Sequence, residues 1–177
     1  MAQPAADLHV HTTASDGTLP IDAVPAAADA AYLDLVAVTD HARIQPALDA
    51  PITDHDGVTV IRGIELRVDT GRQRLDLLGY AVESTDELLV ELDRLQQNRI
   101  ERAKQIIDRV EDYIGLTLEL DIQPGIGRPH LARAIANSHA NYDFQGAFGQ
   151  LLGDRFPCYL PREIHPVSPR PSLLPRA

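Results

Sequence analysis

The chain opens on an alternating pattern, Asp7-Leu8-His9-Val10-His11. Side chains on a strand alternate between faces, so Leu8 and Val10 point one way and His9 and His11 the other. Residues 12–17 read as the loop that follows, with Gly17 letting it turn sharply. The alanine-rich stretch after it predicts a helix over 20–31, with Pro20 in the first turn and Thr18 as its cap. Leu35, Val36, Ala37 and Val38 form an unbroken apolar run, the mark of a strand buried on both faces of a parallel sheet. A short, weak helix is expected over 44–50, a turn over 54–57 and a third strand over 58–62. Residues 66–69 and 74–78 flank Thr70-Gly71-Arg72 as a hairpin. Alternating strands and helices of this kind predict a parallel α/β unit.

The pattern changes at Ser84, which with Glu87 three residues on forms a capping box. Leu88, Leu92, Leu95, Ala103, Ile106, Val110 and Ile114 then keep helical spacing up to Gly115, a natural stop. Arg94, Arg99, Glu101, Arg102 and Lys104 on the same stretch read as a solvated face. An apolar link over 116–122 follows, and Gly125 and Gly127 lead into Arg128-Pro129-His130 at the start of a helix over 131–137. Residues 142–152 predict a last helix, weakened by Gly146 and Gly149, and 157–161 an extended segment. Four of the final twelve residues are proline without periodicity, which predicts a structureless tail over 165–177. The expected organisation is therefore an α/β part over 7–83, a helical subdomain over 84–164 and the tail.

Composition narrows the function. A net charge of −10 argues against nucleic acid as a partner, because phosphate backbones attract basic faces. It permits a small phosphorylated substrate where a metal supplies local positive charge. A single cysteine, Cys158, leaves no intrachain disulfide and reads as a structural thiol. Residues 1–6 carry neither a basic nor an apolar signal segment, and no apolar run approaches a bilayer's width, so a cytoplasmic protein without a membrane partner is expected.

The candidate chemistry gathers where strands end. His9 and His11 share a face and can ligate one ion, though a polar strand end with two solvated histidines reads equally from the residues alone. Asp16 lies in the following loop, Thr39-Asp40-His41 just past the buried second strand, and Gly63-Ile64-Glu65 just past the third. The exits of parallel strands are where α/β folds place ligands. His55 belongs to a turn that precedes a strand and reads as a surface residue. Asp76, in mid-strand between Leu75 and Leu77, needs solvent, a partner or a metal. Arg128 and His130 at a helix start fit either an anion or a capped helix with exposed polar residues.

Taken together, Asp7-Leu8-His9-Val10-His11-Thr12 with Ser15-Asp16-Gly17, Val38-Thr39-Asp40-His41, Gly63-Ile64-Glu65, Leu77-Leu78-Gly79-Tyr80 and Gly127-Arg128-Pro129-His130-Leu131 resemble the PHP (polymerase and histidinol phosphatase) superfamily of metal-dependent phosphoesterases. The resemblance implies a distorted (β/α)7 barrel with an inserted helical subdomain, as in that superfamily's small nucleotide phosphatases. It implies a two- or three-metal site of Mn²⁺, Zn²⁺, Fe²⁺ or Mg²⁺, in which His9 and His11 hold one ion, Glu65 bridges to a second, and Asp16 and His41 hold a third. Asp40 would serve catalysis by orienting its neighbours from behind, and Arg128 and His130 would face the substrate phosphate. Asp76 stands where the family carries a histidine and would favour harder ions. The family's downstream Ala-His-Pro and final Asp-x-His have no match here, so the barrel is expected to be incomplete. The resemblance thus implies a phosphatase acting on a nucleotide or other small phosphomonoester, with a non-catalytic metal-binding remnant as the alternative. An unclosed sheet edge also invites self-association.

Overall fold

The structure is a computed structural model describing residues 4–69, 72–138 and 141–161, together with the backbone of 165–166. β1 (Ala6–Val10), β2 (Leu35–Val38) and β4 (Val58–Arg62) run parallel in that order, and β3 (Ile52–His55) pairs antiparallel along the far side of β4. β2 is the inner strand that the apolar run predicts, with Val36, Ala37 and Val38 all buried. α1 (Val24–Ala30), entered through a 3-10 turn at Ile21–Ala23, sets Val24 and Ala28 against Val36, Val38, Val58 and Val60. Because the three strands are parallel, they deliver the residues that follow them to one rim.

A second sheet continues from that rim. β5 (Ile64–Asp69) begins one residue after β4, pairs antiparallel with β6 (Arg74–Gly79), and is joined on its other side by the two-residue parallel strand β7 (His165–Pro166). Gly63 allows the chain to pass between the sheets: a Cβ there would lie 2.8 Å from both the Gly79 carbonyl oxygen and Thr39 Cγ2. α2 (Asp86–Ile114) spans the whole helical pattern and stops at Gly115, whose φ of 71° puts it in the left-handed region. Its first half sets Leu92 against Ile44 and Ile64. Its second half shares a core with α3 (Arg128–Ser138), α4 (Phe144–Ala147) and a π-helical turn at Phe148–Leu152, through Ile106, Val110, Leu131, Ile135, Leu151 and Leu152. Each of those side chains is essentially withdrawn from water, a gain of roughly 2 kcal/mol apiece.

Several expectations are corrected. Residues 44–50 form turns, not a helix; Gln45 is buried there, and its side-chain amide donates to Thr12 Oγ1 at 3.1 Å. Residues 52–55 are a strand, joined to β4 by a tight turn at Asp56 and Gly57, both with positive φ. Thr18 caps nothing; Pro20 precedes the first helical turn without a side-chain cap. The cap of α2 is Thr85, one residue later than Ser84, its hydroxyl accepting from the Leu88 N–H. The 142–152 helix breaks into α4, capped by Asp143, and the π turn. The expected structureless tail begins with the two residues of β7, and 167–177 lie outside the described residues.

Candidate metal centre

His9 sits inside β1 and His11 one residue past its end, and both reach Glu65 on the second position of β5. Glu65 is buried, and its Oε2 lies 3.1 Å from His9 Nε2, 3.0 Å from His11 Nε2 and 3.2 Å from His41 Nδ1. Three imidazoles around one carboxylate oxygen make this the centre of the rim. Asp16 approaches from the other side, with Oδ1 at 3.3 Å from His11 Nδ1 and Oδ2 at 3.5 Å from His41 Nε2. Two ligand groups result, His9–His11–Glu65 and His11–Asp16–His41, with donor atoms within 4.8 Å of one another in each. His11 belongs to both.

Local backbone fixes these positions. His41 and Glu65 form an isolated parallel bridge, in which the Ala42 N–H donates to the Glu65 carbonyl at 2.8 Å and the Glu65 N–H to the Asp40 carbonyl at 3.2 Å. Ala42 takes a left-handed φ of 47°, a strained choice for a residue with a Cβ. Gln96, buried on α2, stabilises that turn by donating to the carbonyls of His41 at 3.0 Å and Ala42 at 2.9 Å. Its Oε1 accepts from the Gly125 N–H at 2.9 Å, so one side chain ties the rim to the helical part.

Asp40 is fully buried behind the rim. Its Oδ1 accepts from the Thr12 N–H at 2.8 Å and the Ser15 hydroxyl at 2.6 Å, and its Oδ2 from the Thr12 hydroxyl at 2.7 Å. Ser15 Oγ in turn lies 3.3 Å from His11 Nδ1. Asp40 therefore shapes the 12–17 loop that carries Asp16 and steadies the shared histidine.

The protonation states report the same crowding. Hydrogen bonds to Asp16 and Glu65 raise His11 from its ordinary 6.5 to about 9. Burial pushes the Glu65 carboxyl up, but the surrounding imidazoles outweigh it and hold the group at about 2. Burial likewise opposes ionisation of Asp16, and His11 and His41 overcome it, leaving that carboxyl well below its usual range. The raised His11 thus carries positive charge between the two carboxylates near neutral pH. Imidazole nitrogens and carboxylate oxygens at this spacing could hold a metal ion.

The other expected site residues stand outside these two groups. Asp76 joins neither ligand group; it pairs with Arg67, directly opposite it across β5 and β6, with Arg67 Nε donating to Oδ1 at 2.7 Å and Nη2 to Oδ2. Arg128 is taken up by the Leu152 carbonyl at 3.2 Å and Asp154 at 2.9 Å, and stacks over Phe148 and Tyr159. His130 accepts from the Gly127 N–H through Nδ1 at 3.1 Å, and burial followed by Arg133 lowers its pKa. It lines a polar cleft with Arg43, Asp121 and Gln123 behind the 12–17 loop. His55 is exposed and pairs with Thr53, and Cys158 is buried with its pKa raised by burial.

Sequence reading missed the wall beside the rim. Arg67, Arg99 and Arg102 line a cleft with His41 and Glu65. Arg99 and Arg102 are not a solvated face, for they donate to the carbonyls of Ile126 at 3.3 Å and Leu160 at 2.8 Å. The one signal for them was their spacing of three on α2, which a solvated face shares.

A parallel α/β scaffold whose strand exits bring histidines and carboxylates to one rim defines a class of proteins built to hold divalent ions. The chain belongs to the PHP domain family, whose pattern it matches over residues 7–144. It is 29% identical over 163 residues to a 3′,5′-nucleoside bisphosphate phosphatase from Chromobacterium violaceum, covering 87% of this chain and 57% of the relative. It is 32% identical over 109 residues to the 5′-3′ exoribonuclease Rnm of Escherichia coli, covering 59% of this chain and 37% of the relative. The chain thus spans little more than half of the longer match and less of the other. Among solved structures it resembles an amidohydrolase from Chromobacterium violaceum with bound sulfate and no metal (TM-score 0.71, 24% identity, 89% of this chain and 58% of that one). It also resembles a protein from Bifidobacterium adolescentis described as a metal-dependent phosphoesterase (TM-score 0.75, 19% identity, 92% and 60%). These likenesses bear out the mixed α/β fold. No described helix is long and apolar enough to cross a membrane.

Proposed function

We propose that the rim is the site of a metal-dependent phosphoesterase acting on a nucleotide or other small phosphomonoester. The observation that carries this reading is Glu65 Oε2 at 3.0 to 3.2 Å from three histidine nitrogens, beside a cleft walled by three arginines. His9, His11 and Glu65 would hold one ion and His11, Asp16 and His41 another. When bound, divalent ions supply charge compensation for phosphoryl oxygens and an activated water. The chain's own residues do the rest. Asp40 and Ser15 hold His11 in its orientation, Gln96 fixes the His41 turn, and the arginine wall gives an otherwise acidic chain a local attraction for anions. We read the two sheets as part of a distorted (β/α)7 barrel, with 84–164 as the helical part on the substrate side.

The nucleotide class is the reading that the bisphosphate phosphatase relative supports. The exoribonuclease relatives favour a second reading, release of nucleotides from RNA ends, against the expectation that an acidic chain avoids nucleic acid. The test is phosphate and nucleotide release by the Mn²⁺-loaded chain from a panel of nucleoside mono- and 3′,5′-bisphosphates and a short 5′-phosphorylated RNA. Turnover of the bisphosphates, abolished in Glu65→Gln, is the expected result. Mn²⁺ binding without release from any of them would mark a metal-binding module instead. Self-association through the outer strand β1 is tested by sedimentation of the same preparation.

A further inference from the structure

The three arginines of the cleft are not alike. Arg99 and Arg102 donate to backbone carbonyls, whereas Arg67 is gripped by a side chain, its Nε and Nη2 both engaged by Asp76. The grip is built into the sheet: Arg67 and Asp76 are register partners, and alternation puts Arg67 on the face of β5 that carries Glu65 two residues earlier. Asp76 holds the arginine's charge up, and Glu65 adds to the effect through space. Among the described residues the fork leaves Nη1 without a partner. A guanidinium held by a bidentate carboxylate is pre-oriented for a second oxyanion, and it needs no loading. The same pairing engages the one carboxylate of β6 on this face, and it sets a guanidinium close enough to Glu65 to interact with it through space.

We infer that Arg67, braced by Asp76, is an oxyanion-binding residue of the rim, and that its guanidinium takes the flank of Glu65 on which Asp76 would otherwise ligate a further divalent ion. This rests on the metal-dependent phosphoesterase reading above. It keeps a guanidinium on that flank whatever the metal supply, its charge balanced by Asp76, and it gives this chain a smaller ligand set than an unpaired Asp76 would allow.

The test compares the native chain with Arg67→Ser, Arg67→Lys and Asp76→Asn, each checked for native circular dichroism. Two quantities are read: Mn²⁺ bound per chain by equilibrium dialysis, and affinity for inorganic phosphate by calorimetry, with and without Mn²⁺. Arg67→Ser should bind one more Mn²⁺ per chain than the native protein and hold phosphate about tenfold more weakly, the loss of one charge-assisted hydrogen bond. Arg67→Lys should keep the native Mn²⁺ content and lose part of the phosphate affinity, because the charge stays and the fork goes. Asp76→Asn should gain no metal and weaken phosphate about threefold, since the guanidinium stays but its brace is loosened. Native phosphate affinity in Arg67→Ser overturns the inference, and so does unchanged Mn²⁺ content in that variant. A native chain that takes up no Mn²⁺ but holds phosphate through Arg67 overturns the metal-dependent reading and leaves the anion-binding role standing.

Discussion

Replacing Asp40 by asparagine removes one acceptor from the most tightly bonded spot behind the rim while keeping its shape. The Thr12 backbone N–H cannot reverse its polarity, so the remaining oxygen must stay on Oδ1, where it also serves Ser15. The new amide then stands at Oδ2, facing the Thr12 hydroxyl at 2.7 Å and the Gln45 amide, itself a donor, at 3.4 Å. That hydroxyl already accepts from the Ala14 N–H and the Gln45 amide, both at 3.1 Å, so it can accept from the new amide only if Gln45 swings away, and its own donation at this position is lost. The loss is one charge-assisted hydrogen bond, weakening of two others, and one buried donor set against another, about 2–4 kcal/mol in all. For a domain of this size that is a fall of roughly 5–15 °C in melting temperature. Urea unfolding of the metal-free chain reads the stability, and Mn²⁺ titration of the folded variant reads the site. Mn²⁺ affinity should fall as well, because Ser15 loses its hold on His11 and the loop bearing Asp16 loosens. An Asp40→Asn chain within about 0.5 kcal/mol of native stability and with native Mn²⁺ affinity would refute the reasoning.

Other outcomes follow from single contacts. Gln96→Ala strips three hydrogen bonds from the strained Ala42 turn and from Gly125, and should cost about 2–4 kcal/mol by urea unfolding. Gly125→Ala places a Cβ 2.2 Å from the Ala14 carbonyl oxygen at a φ of 93°, so it should destabilise by more than about 1 kcal/mol and push the loop bearing Asp16 out of place, read as lower melting temperature and weaker Mn²⁺ binding. The metal-free chain should lose stability as pH rises from 6.5 to 9. His11 is raised in the fold, so its contribution is complete below 6.5 and gone once pH passes its folded value of about 9. Glu65, depressed from 4.5 to about 2, works on the acid side, where its contribution disappears as pH falls through that window. With Mn²⁺ present the alkaline trend should reverse, because ions need His11 deprotonated; melting curves across pH with and without Mn²⁺ check both signs.

What could be read from the residues follows from what each signal depends on. The strand exits were legible because Val36, Ala37 and Val38 are an uninterrupted apolar run and parallel strands share one end. His9, His11, His41, Asp16 and Glu65 were legible for the same reason, being the polar groups nearest those exits. β3 was hidden because Ile-Thr-Asp-His is a polar, turn-like string whose pairing with β4 is a tertiary event. The helix expected over 44–50 gives way to turns in which Gln45 Oε1 accepts from the Ala47 N–H at 3.4 Å while its amide reaches Thr12, a partner 33 residues away. The residues alone left Asp76 open between solvent, a partner and a metal, and its partner was hidden because only hairpin register puts Arg67 across from it. Gln96 carries no local mark at all: a glutamine on a long helix gives no hint that it holds the turn after β2.

The claim on which the rest depends is that two ligand groups meet at His11. Equilibrium dialysis of His11→Ala against Mn²⁺, with His55→Ala as the control for loss of an exposed histidine, tests it directly. Loss of Mn²⁺ binding from both groups in His11→Ala, with His55→Ala unchanged, is the result expected here. Full Mn²⁺ stoichiometry and affinity in a folded His11→Ala chain would contradict it.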